Sequence, residues 1–194
     1  MIFSTVVLSS VLAATSAALP QVHQARGSPT TTGSSSSTSA SSSASASSSA
    51  SAGGGSLQIV NNLGSTVNLW TTSAESGDMQ TLTSGGGTYS EKWATNPNGG
   101  GISIKMSTSD SQDSVLQFEY TEDGEKLYWD LSSINLDKDS EFVKSGFSVT
   151  PSDGSCTSAS CSAGDADCAD SYQHPDDTNT NSCSTSAQYT LTLG

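Results

Sequence analysis

The sequence predicts an all-β fold, an antiparallel β-sandwich of about 9–11 short strands. Apolar and polar residues alternate with a period of two in several short runs, and Gly, Ser, Asn and Asp separate these runs. Alternation of this kind is typical of strands that have one face on a core and the other in solvent. No stretch shows convincing helical periodicity, which favours an all-β fold over a mixed one.

Seven segments carry the strand pattern most clearly. In residues 115–120, Leu116, Phe118 and Tyr120 lie on one face and Gln117 and Glu119 on the other. The same alternation is found in residues 57–62, 66–70, 102–106, 126–131, 146–150 and 188–193.

Two further details follow from these segments. The turn at 121–124 ends in Asp-Gly, so the strands on either side of it are predicted to form a hairpin. Trp70 shares a strand face with Asn68, opposite Val67 and Leu69, which predicts a partly exposed ring.

The amino-terminal region does not belong to the sandwich. Residues 1–18 are apolar and small with no charge, as in a signal peptide, although a basic start is missing. A buried helix is the alternative reading. Within the linker of residues 19–55, the part from about Thr30 to Gly55 is almost entirely Ser, Thr, Ala and Gly, so it cannot bury enough apolar surface to offset its ordering entropy. We therefore expect a secreted chain with a disordered linker, O-glycosylated or bare, and one domain over 56–194.

The charge of this domain excludes some partners. Residues 56–194 carry five lysines and all nineteen acids, a formal net charge of −14. Such a surface repels nucleic-acid phosphates and anionic lipid. We expect no nucleic acid, no membrane span and a monomer, while a neutral polysaccharide or a surface protein remains open as a partner.

Four cysteines lie in one late segment: Cys156, Cys161, Cys168 and Cys183. An even number behind a secretion signal predicts two disulfides, in any of three pairings. A zinc site is the competitor, but the closely paired cysteines that such sites commonly use are missing. We expect no metal and no cofactor. Calcium bound by the Asp-rich loop around Asp165 and Asp177 is a weaker alternative to a solvated acidic surface.

Several motifs resemble those of thaumatin-like proteins, over nearly the whole of residues 57–194. The first strand ends in Asn61-Asn62 and is followed by a Thr-Val-x-x-Trp strand. Later segments also match, namely Tyr128-Trp-Asp-Leu-Ser, Gly146-Phe-Ser-Val-Thr-Pro, Cys156-x₄-Cys161, and the sequence from Cys168 through Tyr172, Pro175-Asp-Asp and Cys183 to the last strand. The chain is most similar to small fungal members, the yeast-phase-specific and conidial surface proteins. These lack most of the cysteine-rich second domain that plant members of the family have.

This resemblance implies a nested disulfide pairing, Cys156 with Cys183 and Cys161 with Cys168. It also points to a missing cross-link. The family normally has a cysteine after Asn-Asn and another after the final strand, and here these positions are Leu63 and Gly194. That bond would close about 130 residues and stabilise the fold by roughly 5 kcal/mol. The two ends of the sheet must therefore hold by strand pairing and packing.

The resemblance also implies a ligand cleft. In larger members, a cleft of one Arg, one Glu and several Asp is linked to β-1,3-glucan binding and weak glucanase activity. The Arg position falls near Lys105, the Glu position on Gln117, one Asp on Asp130 and the next on Asn135. Glu119 lies two residues along the strand from Gln117 and faces the same way.

Three functions remain open. Glycoside hydrolysis ordinarily needs two carboxylates, and Gln117 supplies none. We therefore favour a non-catalytic, cell-wall or surface-associated protein that binds β-1,3-glucan or a protein partner. The alternatives are a weak β-1,3-glucan hydrolase that uses Asp130 and Glu119, and an adhesin or effector that binds host proteins. No histidine-based triad is available, because His23 precedes the domain and His174 lies in the Pro-Asp-Asp turn.

Overall fold

The computed structural model describes residues 54–194. Two β-sheets account for most of this part of the chain. The five-stranded sheet has the order β4-β1-β11-β8-β9 and the six-stranded sheet the order β10-β7-β6-β5-β2-β3. The strands are β1 (Ser56–Asn61), β2 (Val67–Thr72), β3 (Gln80–Leu82), β4 (Gly87–Lys92), β5 (Ile102–Ser107), β6 (Leu116–Asp123), β7 (Lys126–Ser132), β8 (Phe147–Pro151), β9 (Ala159–Cys161), β10 (Asn181–Ser184) and β11 (Gln188–Leu193). The predicted all-β sandwich is confirmed.

All seven predicted segments are strands. The four strands beyond these seven are β3, β4, β9 and β10, and they are the four outer strands of the two sheets. The predicted hairpin is β6–β7, with Gly124 and Glu125 between the strands. Gly124 has a φ of 61°, a conformation that glycine adopts without steric cost.

A short helix, α1 (Glu141–Ser145), differs from the expectation of no helical segment. The Ser140 side chain accepts a hydrogen bond from Val143 N at its start, and Gly146 ends it with a φ of 80°. A Cβ atom on Gly146 would lie 2.7 Å from the Cys161 carbonyl oxygen, so a side chain there would clash. Five residues are too few to show a helical period in the sequence.

The core lies between the two sheets. Alternate residues of β1, β6, β7 and β11 point into it, as their patterns predict. Its centre is a group of aromatic rings in which Phe118 and Trp129 are 5.7 Å apart, and Trp129 and Tyr189 are 5.6 Å apart. Trp93 and Tyr120 extend the group from its side, at 5.0 Å from each other. Aromatic pairs at such separations contribute about 1 kcal/mol each beyond the area they bury.

The prediction for Trp70 is wrong, because its ring is only 7 % exposed. Trp70 does lie on the outer face of its sheet together with Asn68, and both residues are buried there. The Asn68 side-chain amide donates to the Ser109 carbonyl (3.1 Å) and to Asp110 Oδ1 (2.9 Å), so the loop after β5 folds over this end of the sheet. Strand alternation gives the face of a residue and not the cover that a distant loop provides.

The two ends of the domain lie side by side. Strand β1 pairs with β11 in parallel over six residue pairs, from Ser56 with Gln188 to Asn61 with Leu193. Beyond them, Asn62 N donates to the Leu193 carbonyl (2.8 Å), and a Cβ atom on Gly194 would lie 3.0 Å from Leu63 Cδ2. The two positions at which the family's cysteines are replaced are thus neighbours, and strand pairing holds the ends together.

The predicted signal peptide (1–18) and all but the last two residues of the predicted linker (19–55) lie outside the described residues. Gly55, which the sequence assigned to the linker, is buried and donates from its N–H to the Thr185 carbonyl at 2.8 Å. A Cβ atom there would lie 2.0 Å from the Ala187 carbonyl oxygen, so only glycine fits. The ordered contacts of the domain therefore include Gly55.

Candidate functional site

The outer face of the six-stranded sheet brings most of the predicted cleft residues into two neighbouring rows. In the first row, Glu119 lies directly between Ser103 on β5 and Asp130 on β7. In the second row, Gln117 lies between Lys105 on β5 and Ser132 on β7. Residues opposite each other on paired strands have Cβ atoms about 5 Å apart, so the side chains within each row interact.

A cleft of about 460 Å³ opens over these rows, and its lining contains Lys105, Gln117, Glu119 and Asp130. Asn135, the fifth predicted residue, does not line it. Asn135 lies in the loop after β7, where its carbonyl oxygen accepts a hydrogen bond from Val115 N at 2.9 Å. The cleft falls within the size range of small-molecule sites.

Gln117 is held in the floor of the cleft. It is 7 % exposed, its Oε1 accepts from the Ser103 hydroxyl (3.2 Å), and its Nε2 donates to the Ser132 hydroxyl (3.4 Å). Both polar ends of the side chain are therefore occupied by neighbours in the same sheet. Glu119 and Asp130 are the two titratable carboxyl groups that line the cleft.

Asp130 is the most perturbed carboxyl group of the cleft. Burial, together with the negative charge of Glu119, raises its pKa to about 7. Burial also raises the pKa of Glu119, and the Lys105 charge and the Ser103 hydroxyl offset part of that rise. The two residues lie opposite each other on paired strands, so the titrations of their carboxyl groups are coupled.

Asp130 also borders a second space. It lines a smaller cavity of about 120 Å³ on the side of the disulfide-bonded segment, together with Asp170, Tyr172 and Asn181. Its Oδ1 atom is buried and has no hydrogen-bond partner in the protein. A cavity of this size with polar walls has room for water, which would satisfy that oxygen.

The structure adds cleft residues that sequence reasoning missed. Thr72 on β2 lies opposite Ser103, and Thr121 lies two residues after Glu119 on β6, so both side chains are on the outer face and line the cleft. Thr180 reaches it from the segment between Cys168 and β10. The Thr180 hydroxyl is 2.8 Å from the Tyr172 hydroxyl. No local pattern in the sequence signals such a long-range approach.

The Asp-rich loop uses several of its carboxylates in protein contacts. Asp177 accepts hydrogen bonds from the N–H groups of Gln173 (2.7 Å) and His174 (2.9 Å), and these bonds lower its pKa. Asp170 accepts from Ser160 N (2.9 Å), and Asp167 pairs with Lys138. Within residues 54–194, no group of three or more His, Cys, Asp or Glu side chains converges as a metal site would require.

Two disulfides cross-link the carboxy-terminal part of the domain. Cys156 is bonded to Cys183, and Cys161 to Cys168, which is the nested pairing that the resemblance implies. A two-sheet sandwich with these bonds and with a polar cleft on the outer sheet face is the architecture of a thaumatin-like protein.

Comparison with known proteins identifies the family. Residues 42–194 match Bys1, the Blastomyces yeast-phase-specific protein family, and the chain belongs to this family of small fungal thaumatin-like proteins. It is 49 % identical to a "Secreted thaumatin-like protein calA" of Emericella nidulans, over 72 % of this chain and 81 % of that protein. It is 37 % identical to an "Antigenic thaumatin-like protein" of Arthroderma benhamiae, over 66 % of this chain and 65 % of that protein.

A solved structure shares the fold. The protein elicitor MoHrip2 from Magnaporthe oryzae superposes with a TM-score of 0.59 at 23 % identity, over 72 % of this chain and 98 % of that one. These relatives confirm the predicted fold and the predicted extracellular location, so the protein is a secreted thaumatin-like protein. In the part of the chain that the structure describes, no helix has the length and apolar character needed to cross a membrane.

Proposed function

We propose that this protein binds a neutral cell-wall polysaccharide, β-1,3-glucan, in the cleft on the outer face of the six-stranded sheet, and that it does so without cleaving it. The observation that carries the proposal is the convergence of Lys105, Gln117, Glu119 and Asp130 in one cleft of about 460 Å³. Such a cleft offers the ammonium group of Lys105 and the carboxyl groups of Glu119 and Asp130 to sugar hydroxyls, over a floor formed by Gln117. The net charge of −14 over residues 56–194 disfavours an anionic polymer.

The absence of turnover follows from the roles of the individual groups. A glycosidase needs one carboxylic acid to protonate the leaving oxygen and a second carboxylate as nucleophile or base. The position of the family's glutamate is Gln117, which cannot transfer a proton in this way and whose two polar ends are already bonded. We therefore assign Glu119 and Asp130 to hydrogen bonding with the ligand.

A second candidate is a weak β-1,3-glucan hydrolase. One observation favours it, since Glu119 and Asp130 lie directly opposite each other and Asp130 has a pKa of about 7. A protonated Asp130 beside an ionised Glu119 is the combination that general acid catalysis requires.

Sedimentation with insoluble β-1,3-glucan distinguishes these functions. We expect the wild-type protein to be retained on the glucan with no release of soluble sugar. Asp130→Asn and Glu119→Gln keep the shape and polarity of the side chains, so retention should persist in both. Lys105→Ala with Glu119→Ala removes two ligand contacts and should lower retention about tenfold or more. Asp139→Asn, an exposed substitution outside the cleft, is the control.

The other outcomes are equally specific. Release of sugar that Asp130→Asn abolishes would establish the hydrolase. Lack of retention on glucan, combined with adhesion of the protein to intact cells, would overturn glucan binding and favour a protein partner.

We also propose that the predicted linker (19–55) spaces the domain from the wall as an O-glycosylated stalk. The Ser/Thr-rich composition of that segment supports this proposal. A mass of the secreted protein equal to that of the bare polypeptide would contradict the glycosylation.

A further inference from the structure

Tyr128 is unusual among the aromatic residues of this protein. Most of the aromatic rings are packed in the core between the sheets, whereas Tyr128 on β7 is 37 % exposed. Met79 is the other large apolar side chain that is similarly exposed within residues 54–194. A single exposed aromatic ring is not by itself a site. The surroundings of Tyr128 give it a role.

Two depressions meet at Tyr128. One is the cleft described above, and the other, here called the distal depression, has a volume of about 320 Å³. Both are lined by Ile102, Tyr120, Thr121 and Tyr128, so they adjoin along this part of β5, β6 and β7. The exposed ring of Tyr128 therefore lies where one depression passes into the other.

The far wall of the distal depression is a loop that is held in place by its own hydrogen bonds. The loop between β4 and β5 contributes Ala94, Thr95, Asn96, Gly99 and Gly100. Asn96 fixes this loop from within, because its side-chain amide donates to the Gly101 carbonyl (3.2 Å) and its Oδ1 accepts from Asn98 N (3.0 Å). A wall that is held by its own hydrogen bonds loses little entropy when a ligand binds.

The chemistry of the distal depression matches a neutral sugar chain. Thr95 and Thr121 supply hydroxyl groups, and Glu122 and Asp123 supply carboxylates, while no lysine lines it. An anionic ligand would meet only like charge there. An exposed aromatic ring beside polar groups offers an apolar face to the C–H side of a sugar ring and leaves the sugar hydroxyls to the neighbouring side chains.

We propose that Tyr128 is a stacking platform for a sugar ring at the junction, and that the ligand is an extended neutral oligosaccharide chain that occupies the cleft and the distal depression together. This proposal rests on the proposed function and specifies its ligand, a chain of several linked sugar units and not a mono- or disaccharide.

A length series of soluble β-1,3-linked oligosaccharides, titrated calorimetrically into the full secreted protein, tests this. We expect the wild-type affinity to rise from the disaccharide to the hexasaccharide. Tyr128→Ala should weaken hexasaccharide binding by about threefold to tenfold, the range expected for one lost aromatic contact. The affinity of Tyr128→Ala should also increase less than that of the wild type from the disaccharide to the hexasaccharide. Tyr128→Phe keeps the ring and should bind like the wild type, as should Met79→Ala, which lies outside both depressions.

The outcomes separate this proposal from the one on which it rests. If the wild type binds disaccharide and hexasaccharide equally well, or if Tyr128→Ala binds the hexasaccharide like the wild type, the platform is overturned and glucan binding stands. If the wild type binds neither the oligosaccharides nor insoluble glucan, both proposals are overturned. Because the side chain is partly exposed, Tyr128→Ala should stay fully folded at the temperature of the titration, and a thermal unfolding curve verifies that any loss of binding is local.

Discussion

Single residues decide what kind of chemistry the cleft supports. Position 117, where the resemblance leads us to expect a glutamate, is a glutamine and has no carboxylate. A carboxylate is present in the neighbouring row of the same sheet face, on Glu119. Asp130 then experiences both burial and the Glu119 charge, which together raise its pKa to about 7. In its protonated form this carboxyl group is a hydrogen-bond donor, and a donor suits a sugar hydroxyl as well as it suits acid catalysis.

The raised pKa of Asp130 predicts a pH-dependent stability. Between its ordinary pKa of 3.8 and about 7, the unfolded chain loses the proton while the native state keeps it. The contribution of Asp130 to the free energy of unfolding is therefore full below pH 3.8 and is lost as the pH rises to about 7. Full linkage would amount to about 4 kcal/mol, and solvent screening of this partly exposed group reduces it to about 2 kcal/mol.

Asp130→Asn removes this titration. Urea unfolding at a series of pH values should show the variant gaining stability relative to the wild type as the pH rises from about 4 to about 7, by about 2 kcal/mol in total. Asp139→Asn, the exposed control, should show no such trend. A constant difference between Asp130→Asn and the wild type across this range would refute the raised pKa.

At the level of secondary structure, the outer strands depend on partners outside the local sequence. Strand β10, at one edge of the six-stranded sheet, pairs with β7 over four residues and carries Cys183. The bond from Cys183 to Cys156 ties this edge to the segment that follows β8. Thr180, one residue before β10, lines the cleft, so the outer disulfide positions part of the site.

Removal of the outer disulfide should therefore affect binding as well as stability. Cys156→Ser with Cys183→Ser opens a bond with a sequence separation of 27, and the free energy of unfolding should fall by about 3–4 kcal/mol. Cys161→Ser with Cys168→Ser opens one with a separation of 7 and should cost about 2 kcal/mol. Chemical denaturation gives both values.

Glucan retention distinguishes the two disulfides further. The double substitution at Cys156 and Cys183 should lower retention under conditions where the protein remains folded. Strand β10 is then no longer tied to Cys156, so Thr180, one residue before β10, is less firmly held at the cleft. The inner pair should have the smaller effect. Equal losses of retention would contradict a specific role for the outer bond in the cleft.

For the molecule as a whole, the parallel pairing of β1 with β11 joins the two ends of the domain. In place of the cross-link that the resemblance led us to expect, this chain has Leu63, which is 2 % exposed, packed beside Gly194. Apolar contact and the ladder of β1 and β11 thus replace a covalent bond. The Gly194 N–H also donates to the Gly146 carbonyl at 2.9 Å, which fixes the end of the last strand.

The proximity of these positions predicts that the cross-link can be restored. In Leu63→Cys with Gly194→Cys, the leucine atom that crowds position 194 is gone, and we expect a disulfide and no free thiol by thiol titration. Compared with Leu63→Ser and Gly194→Ser, the oxidised variant should gain up to about 5 kcal/mol in the free energy of unfolding, less any strain from the positive φ of residue 194. Two reactive thiols in the folded protein would show that the two positions are too far apart.

The sequence by itself determined the central strands, because strands with one face on the core alternate strongly. In β6, Leu116, Phe118 and Tyr120 face inward as their spacing predicts. The resemblance also predicted the disulfide pairing and the cleft residues Lys105, Gln117 and Asp130, and strand alternation added Glu119. These features depend on local period or on motifs that can be read along the chain.

Only the tertiary structure decided the remaining features. The edge strands β3, β4, β9 and β10 are short or half exposed, so their sequences show little alternation of apolar and polar residues. The burial of Trp70 and the approach of Thr180 to the cleft depend on tertiary contacts outside their own strands. The pKa of Asp130 is raised first by burial and then by the charge of Glu119 on the paired strand, and the extent of that burial is set by the folded structure. These contacts form only when segments that are far apart in the sequence pack together in the folded domain. No local pattern of residues specifies which segment will cover a given side chain.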